Sequence, residues 1–203
     1  MIAKGKYVRG GDRKAASSHL NAHFKYIEHR PRDLARELRD DRRLFNKDRD
    51  SVDRKGAVDD VMEHTSSRVS YHKIVLSPAE DEPVLDWRQW TRDVMADLEE
   101  VQGKELRWYA AHHENTDHPH VHVVVAGAGY DRETGERETV KLFRQDYEQL
   151  RESGHYHSEY AWEHRLGELF QDLERQDSGI EDIVAHGRRS ERFNELERGE
   201  IDR

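Results

Sequence analysis

The sequence predicts an α+β fold in which a central, mainly antiparallel sheet is flanked by helices. Three runs in the middle of the chain are rich in β-branched and aromatic residues and are bounded by turn residues, which is typical of strands. These runs cover residues 70–77, 106–113 and 120–126. On both sides of them the apolar residues recur with helical spacing instead. Strands in the middle of a chain, with helices before and after them, favour helical layers packed on one sheet.

The predicted helices differ in how clearly they are marked. The clearest begins after Asp86, which is placed to cap it, and its apolar residues form one stripe from Trp90 to Val101. Further helices are predicted over residues 15–30, 32–46, 57–64, 144–152 and 158–175, with two shorter charged segments after Gly179 and Ser190. Residues 127–135 are interpreted as a hairpin loop that leads into a fourth strand at 138–142.

Composition limits the size of the core. The chain has 203 residues, of which 34% are hydrophobic and 38% are charged, so a small core must lie beneath a highly charged surface. We expect one main domain over residues 1–178, with a basic, helical N-terminal region over 1–64, and a charged helical tail over 179–203. No stretch of the sequence is long and apolar enough for a membrane span, and a cytoplasmic protein is expected.

Charge is distributed unevenly along the chain. The net charge is −9, but residues 1–47 contain 13 basic and 6 acidic side chains, a net of +7, so the remainder carries 21 − 37 = −16. A basic segment of this kind is compatible with a surface that contacts phosphates and equally with a solvated helix face. The chain has no cysteine, so a transition-metal site must use histidines and carboxylates.

A group of histidines carries the strongest chemical signal. Side chains alternate across a strand, so His120 and His122 lie on one face of the third predicted strand. A tight return from the preceding strand can bring His113 opposite this pair, because facing Cβ atoms in antiparallel strands are only about 4.5–5.5 Å apart. Three neutral imidazoles that converge in this way suit Mn²⁺, Zn²⁺ or a similar ion and leave positions open for substrate oxygens. An open metal site of this kind is typical of catalysis.

The remaining histidines are interpreted differently. Alternation places His112 on the side opposite His113, and it places His118 on the face of His120, although Pro119 interrupts the strand between them. His118 therefore remains a secondary candidate for the site. The other histidines are interpreted as ordinary surface residues: His19, His23, His29, His64, His72, His155, His157, His164 and His186.

The sequence around the cluster resembles a known family. Residues 113–125, His-Glu-Asn-Thr-Asp-His-Pro-His-Val-His-Val-Val-Val, are similar to the third motif of relaxases from conjugative and mobilizable elements, in which three histidines hold the catalytic metal. The resemblance extends over roughly residues 15–175. Residues 24–30 resemble the family's N-terminal tyrosine motif, and residues 71–78 resemble the strand before its long helix. Residues 107–111 resemble its first metal-side strand, and residues 144–152 resemble the helix that follows.

This resemblance implies an HUH (His-hydrophobe-His) endonuclease with a ferredoxin/RRM-like core. Such an enzyme is expected to nick single-stranded DNA at an origin of transfer, for plasmid or mobile-element mobilization, through a 5′-phosphotyrosine intermediate. The resemblance assigns the nucleophile to Tyr26. It assigns a divalent metal, Mn²⁺ or Mg²⁺ with Zn²⁺ as a further option, to His113, His120 and His122. The implied partners are the origin DNA, accessory DNA-binding proteins and coupling or type IV secretion proteins.

Other residues compete with Tyr26 for the role of nucleophile. Tyr147 follows the histidine motif, as the nucleophile does in the replication-initiator branch of the superfamily, but it occupies an apolar helix position together with Leu150. Tyr156 and Tyr160 are further candidates, since their helix could pack near the sheet. Some relaxases of similar pattern use a histidine in place of tyrosine, which keeps His23 among the candidates.

The chain departs from the family pattern in two ways. An acidic residue commonly lies two positions after the first metal histidine, whereas this chain has Asn115 there. A carboxylate that orients a metal ligand would then be Glu114, Asp117 or a more distant residue. The long C-terminal regions of many relaxases are also missing, so we expect either a minimal enzyme or a fragment.

Other functions remain open at this point. Residues 118–124 fit the His-φ-His-φ-His-φ-φ pattern of histidine-triad nucleotide hydrolases and transferases if Pro119 is admitted, and there a histidine attacks a nucleotide α-phosphate without a metal. That interpretation leaves His113, Tyr26 and the basic N-terminal segment unexplained. A rolling-circle replication initiator, or a non-catalytic DNA-binding accessory protein of the same fold, is also compatible with the histidine motif.

Overall fold

Helices pack against a central antiparallel sheet in this protein. The computed structural model describes residues 1–28, 43–80, 82–113, 118–168 and 171. The strands are β1 (Ile2–Arg9), β2 (Val69–Ser77), β3 (Lys104–Glu105), β4 (Trp108–His113), β5 (His120–Ala126), β6 (Ala128–Asp131) and β7 (Arg137–Thr139). The helices are α1 (Arg13–Glu28), α2 (Arg54–Glu63), α3 (Trp87–Gln102) and α4 (residues 144–160).

All of these elements belong to a first compact unit, Met1–Tyr160. A second unit comprises Ala161–Arg203, and its described residues, 161–168 and 171, are helical. The predicted boundary at residue 178 and the predicted helical segments after it lie outside the described residues. Within the described part of the chain, no helix combines the length and the apolar character that a membrane crossing requires.

The central sheet has four strands in the order β1-β2-β5-β4, and every neighbouring pair is antiparallel. A smaller antiparallel sheet has the order β3-β6-β7. The consecutive strands β4 and β5 lie side by side, and their register pairs His113 directly with His120. The structure therefore confirms the predicted α+β class with a mainly antiparallel sheet, an arrangement consistent with an HUH-type fold.

One face of the central sheet is apolar and is covered by α3 and α4. Val121 and Val123 of β5 are fully buried there, in a cluster with Val94 and Leu98 of α3 and Leu150 of α4. These residues recur at strand spacing on β5 and at helical spacing on α3, so each element turns a continuous apolar surface toward the other. This layer supplies the larger part of the core.

The opposite face is only partly covered, by α1 and α2. Leu20 and Phe24 of α1 pack there against Tyr109 of β4 and Val124 of β5. Beyond these contacts the same face continues to the end of β4 and the beginning of β5, where His120 and His122 of β5 are left partly exposed. The candidate site lies on this uncovered part.

Side-chain caps fix where the helices begin. Asp86 accepts from the backbone N–H groups of Arg88 and Gln89 and caps α3 as predicted, and α3 ends at Gly103, whose φ of 63° is in the left-handed region. Asp53 caps α2 in the same way. Asp12 accepts from the backbone N–H of the third residue of α1 at 2.9 Å. These carboxylates satisfy N–H groups that have no partner inside the helix.

The strand β1 was not predicted from the sequence. Its eight residues bury only Ala3, and Lys4, Gly5 and Lys6 give no hydrophobic alternation. The segment becomes a strand because it pairs along its whole length with β2, from Ile2 opposite Ser77 to Val8 opposite Tyr71. A partner in the sheet here overrides a weak local preference.

Other predicted boundaries also shift. The fourth strand occupies residues 137–139 rather than 138–142, and it pairs with β6, which lies within the predicted loop. The predicted helix over 32–46 falls largely on residues 29–42, outside the described residues, and beyond them Leu44 and Phe45 form isolated β-bridges instead. Residues 153–157, expected between two helices, are helical.

Candidate metal centre and DNA-facing surface

Three histidines converge at the uncovered end of β4 and β5. His113 is the last residue of β4 and faces His120, the first residue of β5, while His122 lies two positions further on the same face. Their ring centroids are 4.7 to 5.2 Å apart. One ring nitrogen from each histidine lies within 4.8 Å of those of the other two, so the three could hold one metal ion. We refer to His113, His120 and His122 as the histidine cluster.

Backbone carbonyls orient two of the three rings. His113 is buried, and its Nε2 lies 2.6 Å from the carbonyl oxygen of Ile27 in α1. His120 Nδ1 lies 2.9 Å from the carbonyl oxygen of His118. A carbonyl oxygen can only accept, so each of these nitrogens carries the proton and the other nitrogen of the neutral ring keeps its lone pair. Such contacts fix the ring tautomer and are typical of histidines that bind metals.

The spacing of the cluster fits a metal ion. The Nε2 atoms of His120 and His122 are 3.2 Å apart. Two imidazole nitrogens on one tetrahedral ion, each about 2.0–2.1 Å from it, would be about 3.3–3.4 Å apart. A set of neutral nitrogens also leaves the charge of a bound ion uncompensated, so that the ion could attract a phosphate. The donor set and its geometry therefore suit a divalent ion.

His23 approaches the cluster from α1. Its ring lies edge-on to that of His122, with 5.9 Å between the centroids, and it is half-buried. Burial, together with the ammonium groups of Lys73 and Lys6, lowers the pKa of His23 from 6.5 to about 4. Interpreting His23 as a surface residue was therefore wrong. Its position one helical turn before Tyr26 was the sequence signal that could have placed it at the site.

Tyr26 lies in the last turn of α1, directly before Ile27, and its side chain is 49% exposed. Because the carbonyl of Ile27 accepts the hydrogen bond from His113, this turn is attached to the histidine cluster. His23 and Tyr26 are three residues apart and therefore lie on the same flank of the helix. Tyr26 is therefore accessible to solvent beside the half-buried His23.

The other candidate tyrosines lie on the far side of the sheet. Tyr147 is half-buried against the core beneath α3 and α4, next to Gly5 of β1, and burial raises its pKa. Tyr156 and Tyr160 are exposed on α4, with their rings stacked at 5.9 Å between centroids. The sheet itself separates all three from the histidine cluster, so the structure does not bring them to it.

The remaining residues of the histidine motif do not join the cluster. His118 points outward, with its side chain 73% exposed and its Nδ1 3.7 Å from a carboxylate oxygen of Glu80. His112 lies on the opposite face, as alternation predicts, and stacks on Trp87 with 4.1 Å between ring centroids. Glu114, Asn115 and Asp117 lie outside the described residues.

A second correction concerns His72, which, like the also buried His64, was interpreted as a surface residue. It is buried on the face covered by α3 and α4, and its Nε2 donates to the carbonyl oxygen of Val140 at 3.0 Å. Burial lowers the pKa of His72, against the opposing effects of that hydrogen bond and of Asp146. The alternation of β2 places it there, because Ile74 and Leu76 belong to the same face.

Lysines extend the open face beyond the histidines. Lys6 of β1 lies opposite Lys73 of β2, and Lys4 lies opposite Val75, which in turn faces His122. None of the three lysines forms an ion pair with a described residue. Burial and the charge of Lys6 lower the pKa of Lys73. Like charges placed opposite each other repel, and an anion bound between Lys6 and Lys73 would relieve this repulsion. We refer to Lys4, Lys6 and Lys73 as the lysine strip.

Together, the antiparallel sheet and the three histidines that converge on its open face have the architecture of an HUH-type endonuclease. The chain matches the family model of relaxases described as the MobA/VirD2-like nuclease domain over residues 7–176. Because this match covers most of the chain, the protein belongs to the MobA/VirD2-like relaxases, a family of DNA-nicking enzymes of conjugation and mobilization. A comparison with curated proteins gave no match.

Proposed function

We propose that this relaxase nicks single-stranded DNA at an origin of transfer by attack of Tyr26 on a phosphodiester beside the histidine cluster. The main support is the 2.6 Å hydrogen bond from His113 to the carbonyl oxygen of Ile27. It ties the helical turn that carries Tyr26 to one of the three histidines. Tyr26 is also the one candidate tyrosine of the described residues that lies on the open side of the sheet and is exposed.

The proposed reaction is a transesterification. The hydroxyl oxygen of Tyr26 forms a bond to phosphorus, and the bond between phosphorus and the 3′ oxygen of the preceding nucleotide breaks. The phenolic proton passes to solvent, and the departing 3′ oxygen takes up a proton to become a free hydroxyl. The 5′ phosphate remains on Tyr26, so the phosphoester is conserved and the nick can be resealed by the reverse reaction.

The histidine cluster is the proposed metal site. When bound, a divalent ion would polarise the scissile phosphate and stabilise the charge that develops on its oxygens. Nitrogen donors suit Mn²⁺ or Zn²⁺ better than Mg²⁺, which prefers oxygen. The carbonyls of Ile27 and His118 hold two of the rings in one orientation, so the site is ordered before the substrate arrives.

The lysine strip is the proposed path of the DNA strand toward the cluster. Lys73 and Lys6 lie on the same open face as His122, two and three strands away, respectively, from the edge strand β4 that carries His113. Lysine ammonium groups bind phosphates through charge without reading sequence. We place the reaction in the cytoplasm, in mobilization of a plasmid or other mobile element with accessory DNA-binding and secretion-coupling proteins as its partners.

The decisive experiment is a search for a covalent protein–DNA adduct. The protein is incubated with a pool of single-stranded oligonucleotides and Mn²⁺, and adducts are resolved on a denaturing gel. We expect an adduct that EDTA and Tyr26→Phe abolish, while the matched variant Tyr156→Phe retains it. An adduct that survives Tyr26→Phe and maps by mass spectrometry to another residue would show that Tyr26 is not the nucleophile.

Metal binding can be measured separately from catalysis. An ion that binds the folded state alone raises its stability by about 2.7 kcal/mol when present at about 100 times its dissociation constant. We expect Mn²⁺ or Zn²⁺ to raise the melting temperature of the wild-type protein and to leave His122→Ala unchanged. His19→Ala, which removes an exposed histidine of α1, is the matched control and should respond like the wild type.

Two competing functions have less support from the geometry. A histidine-triad hydrolase needs three histidines along one strand, but His118 points outward toward Glu80. For a nucleophile that follows the histidine motif, as in replication initiators, the candidate is Tyr147, which packs on the opposite face. Metal-independent release of AMP from a nucleotide substrate, lost in His120→Ala, would favour the histidine-triad hydrolase over the relaxase.

A further inference from the structure

A basic groove lies between α1 and α2, apart from the histidine cluster and the lysine strip. Its volume is about 750 Å³. Two residues of the first turn of each helix line it, with polar side chains from the middle of α1: Arg13, Lys14, Arg54, Lys55, Ser17 and Asn21. We refer to it as the interhelical groove.

The groove carries an excess of positive charge. Asp53 is the one carboxylate among its lining residues, and it is engaged as the cap of α2, where it accepts from the backbone N–H of Gly56 at 3.0 Å. Arg54 is neutralised by Glu28, 3.0 Å away. No described residue forms an ion pair with the remaining cations, Arg13, Lys14 and Lys55.

The placement of these cations is unfavourable for the helices themselves. The positive end of the helix dipole lies at the N-terminus, where acidic side chains stabilise a helix and basic ones do not. Neither α1 nor α2 has an acidic residue in its first turn, and each has two basic residues there. An anion in the interhelical groove would offset this effect, because it would lie among the basic side chains of both first turns, close to the positive ends of two helix dipoles.

The groove faces away from the catalytic flank of α1. Ser17 and Tyr26 are nine residues apart, which is about two and a half turns of an α-helix, so they point to opposite sides. The body of α1 therefore separates the groove from the flank that carries His23 and Tyr26. DNA bound in the groove would be a segment other than the nucleotides at the histidine cluster.

We propose that the interhelical groove binds the phosphodiester backbone of a second DNA segment, away from the nucleotides at the histidine cluster. The choice of DNA as the anion rests on the proposed function. Arg13, Lys14 and Lys55 would contact phosphate oxygens, while the hydroxyl of Ser17 and the amide of Asn21 can donate hydrogen bonds to the same oxygens. Contacts of this type hold and orient DNA and do not read its bases.

The test measures the salt dependence of DNA binding with the 203-residue chain in EDTA, so that cleavage plays no part. The probes are a fluorescein-labelled 20-base-pair duplex and a labelled single strand of 20 thymidines. The test variant is Lys14→Gln/Lys55→Gln, whose two side chains are exposed. Lys141→Gln, exposed and outside both basic surfaces, is the matched control.

We expect the double variant to weaken the salt dependence in one of the two arms. The slope of log K against log salt is negative, and each lost phosphate contact reduces its magnitude by about 0.9 for a duplex and about 0.7 for a single strand. Two lost contacts therefore reduce the magnitude by about 1.8 or about 1.4. The arm in which the slope falls identifies the form of DNA. Lys141→Gln should keep the wild-type slope, and both variants should keep the wild-type melting temperature.

Wild-type slopes for the double variant in both arms overturn the proposal. The proposal is also overturned if a labelled poly-glutamate peptide binds through Lys14 and Lys55 while DNA binding does not depend on them. The groove would then bind an acidic protein segment. These outcomes are separate from failure of the proposed nicking reaction. That failure would appear as the absence of a Tyr26 adduct in Mn²⁺ and would leave the slopes in EDTA unchanged.

Discussion

The two faces of the central sheet are built from the same four strands but have different chemistry. On β5, Val121 and Val123 are fully buried beneath α3, whereas His120 and His122 are half-buried on the open face. Alternation along the strand makes this possible, because each strand contributes one set of side chains to packing and the other set to the solvent. We therefore expect that the site can be changed without disturbing the core, and the core without changing the site.

Substitution of neighbouring residues on β5 tests this separation most strongly. We expect His120→Ala to lower the nicking rate on the order of 10²–10³-fold, because the cluster loses one of three ligands, and to leave the stability nearly unchanged. Val121→Ala should instead cost about 2 kcal/mol of unfolding free energy with little loss of activity in the folded protein. Rates from single-turnover cleavage and urea unfolding curves measure the two effects.

The separation of the two faces would be contradicted if each variant, His120→Ala and Val121→Ala, lost both activity and stability. Tyr156→Phe, at an exposed position of α4, is the control for nonspecific effects of substitution and should change neither the nicking rate nor the stability.

The packing of α3 on the apolar face gives an effect of comparable size. Leu98 is fully buried against the sheet, so Leu98→Ala should lower the unfolding free energy by about 2–5 kcal/mol through lost burial and a residual cavity. Val101 is on the same helix but is 54% exposed, and Val101→Ala should change stability by less than about 0.5 kcal/mol. Equal destabilisation by both variants would contradict the described packing.

The lysine strip gives a smaller effect, confined to the open face. Removing the two opposed charges with Lys6→Gln/Lys73→Gln should lower the salt-dependence slope for single-stranded DNA by about 1.4, because each phosphate contact contributes about 0.7. Equilibrium titrations of a labelled oligonucleotide at several salt concentrations measure it. Lys141→Gln again provides the control, and a slope equal to that of the wild type would remove the strip from the DNA path.

The smallest effect is the pH dependence that His72 adds on the packed face. Burial lowers its pKa in the folded protein, so in acid the unfolded chain binds a proton more readily than the folded one. The stability that His72 contributes is therefore complete above the unfolded pKa of about 6.5 and declines as the pH falls below it. Comparing urea unfolding of wild type and His72→Gln between pH 7.5 and pH 5, we expect the wild type to lose more stability. Parallel curves would contradict the assignment.

The elements with strong local signals were predictable from the sequence. The apolar stripe and Asp86 cap of α3 are properties of consecutive residues, and so is the alternation that separates His120 and His122 from Val121 and Val123. Short-range spacing contains this information because helices and strands have fixed periods. The α+β class and the grouping of three histidines followed from these local patterns.

Features that depend on distant residues were not predictable. Strand β1 exists because β2 pairs with it, 60 to 75 residues away in sequence. His72 was assigned to the surface because no local pattern reveals which face of β2 two helices will cover. The lysine strip was missed for the same reason, since Lys6 and Lys73 become neighbours only through the register of these strands.

The sequence by itself determined which residues share a face of a strand, and therefore that His120 and His122 stand side by side near the end of a sheet. Only the tertiary structure decided what meets them there. The last turn of α1, with His23, Tyr26 and the carbonyl of Ile27, comes to the cluster because Leu20 and Phe24 must be buried on the same face of the sheet. The hydrophobic effect packs α1 against residues that are distant in sequence, so the position of α1 cannot be read from any single segment of the chain.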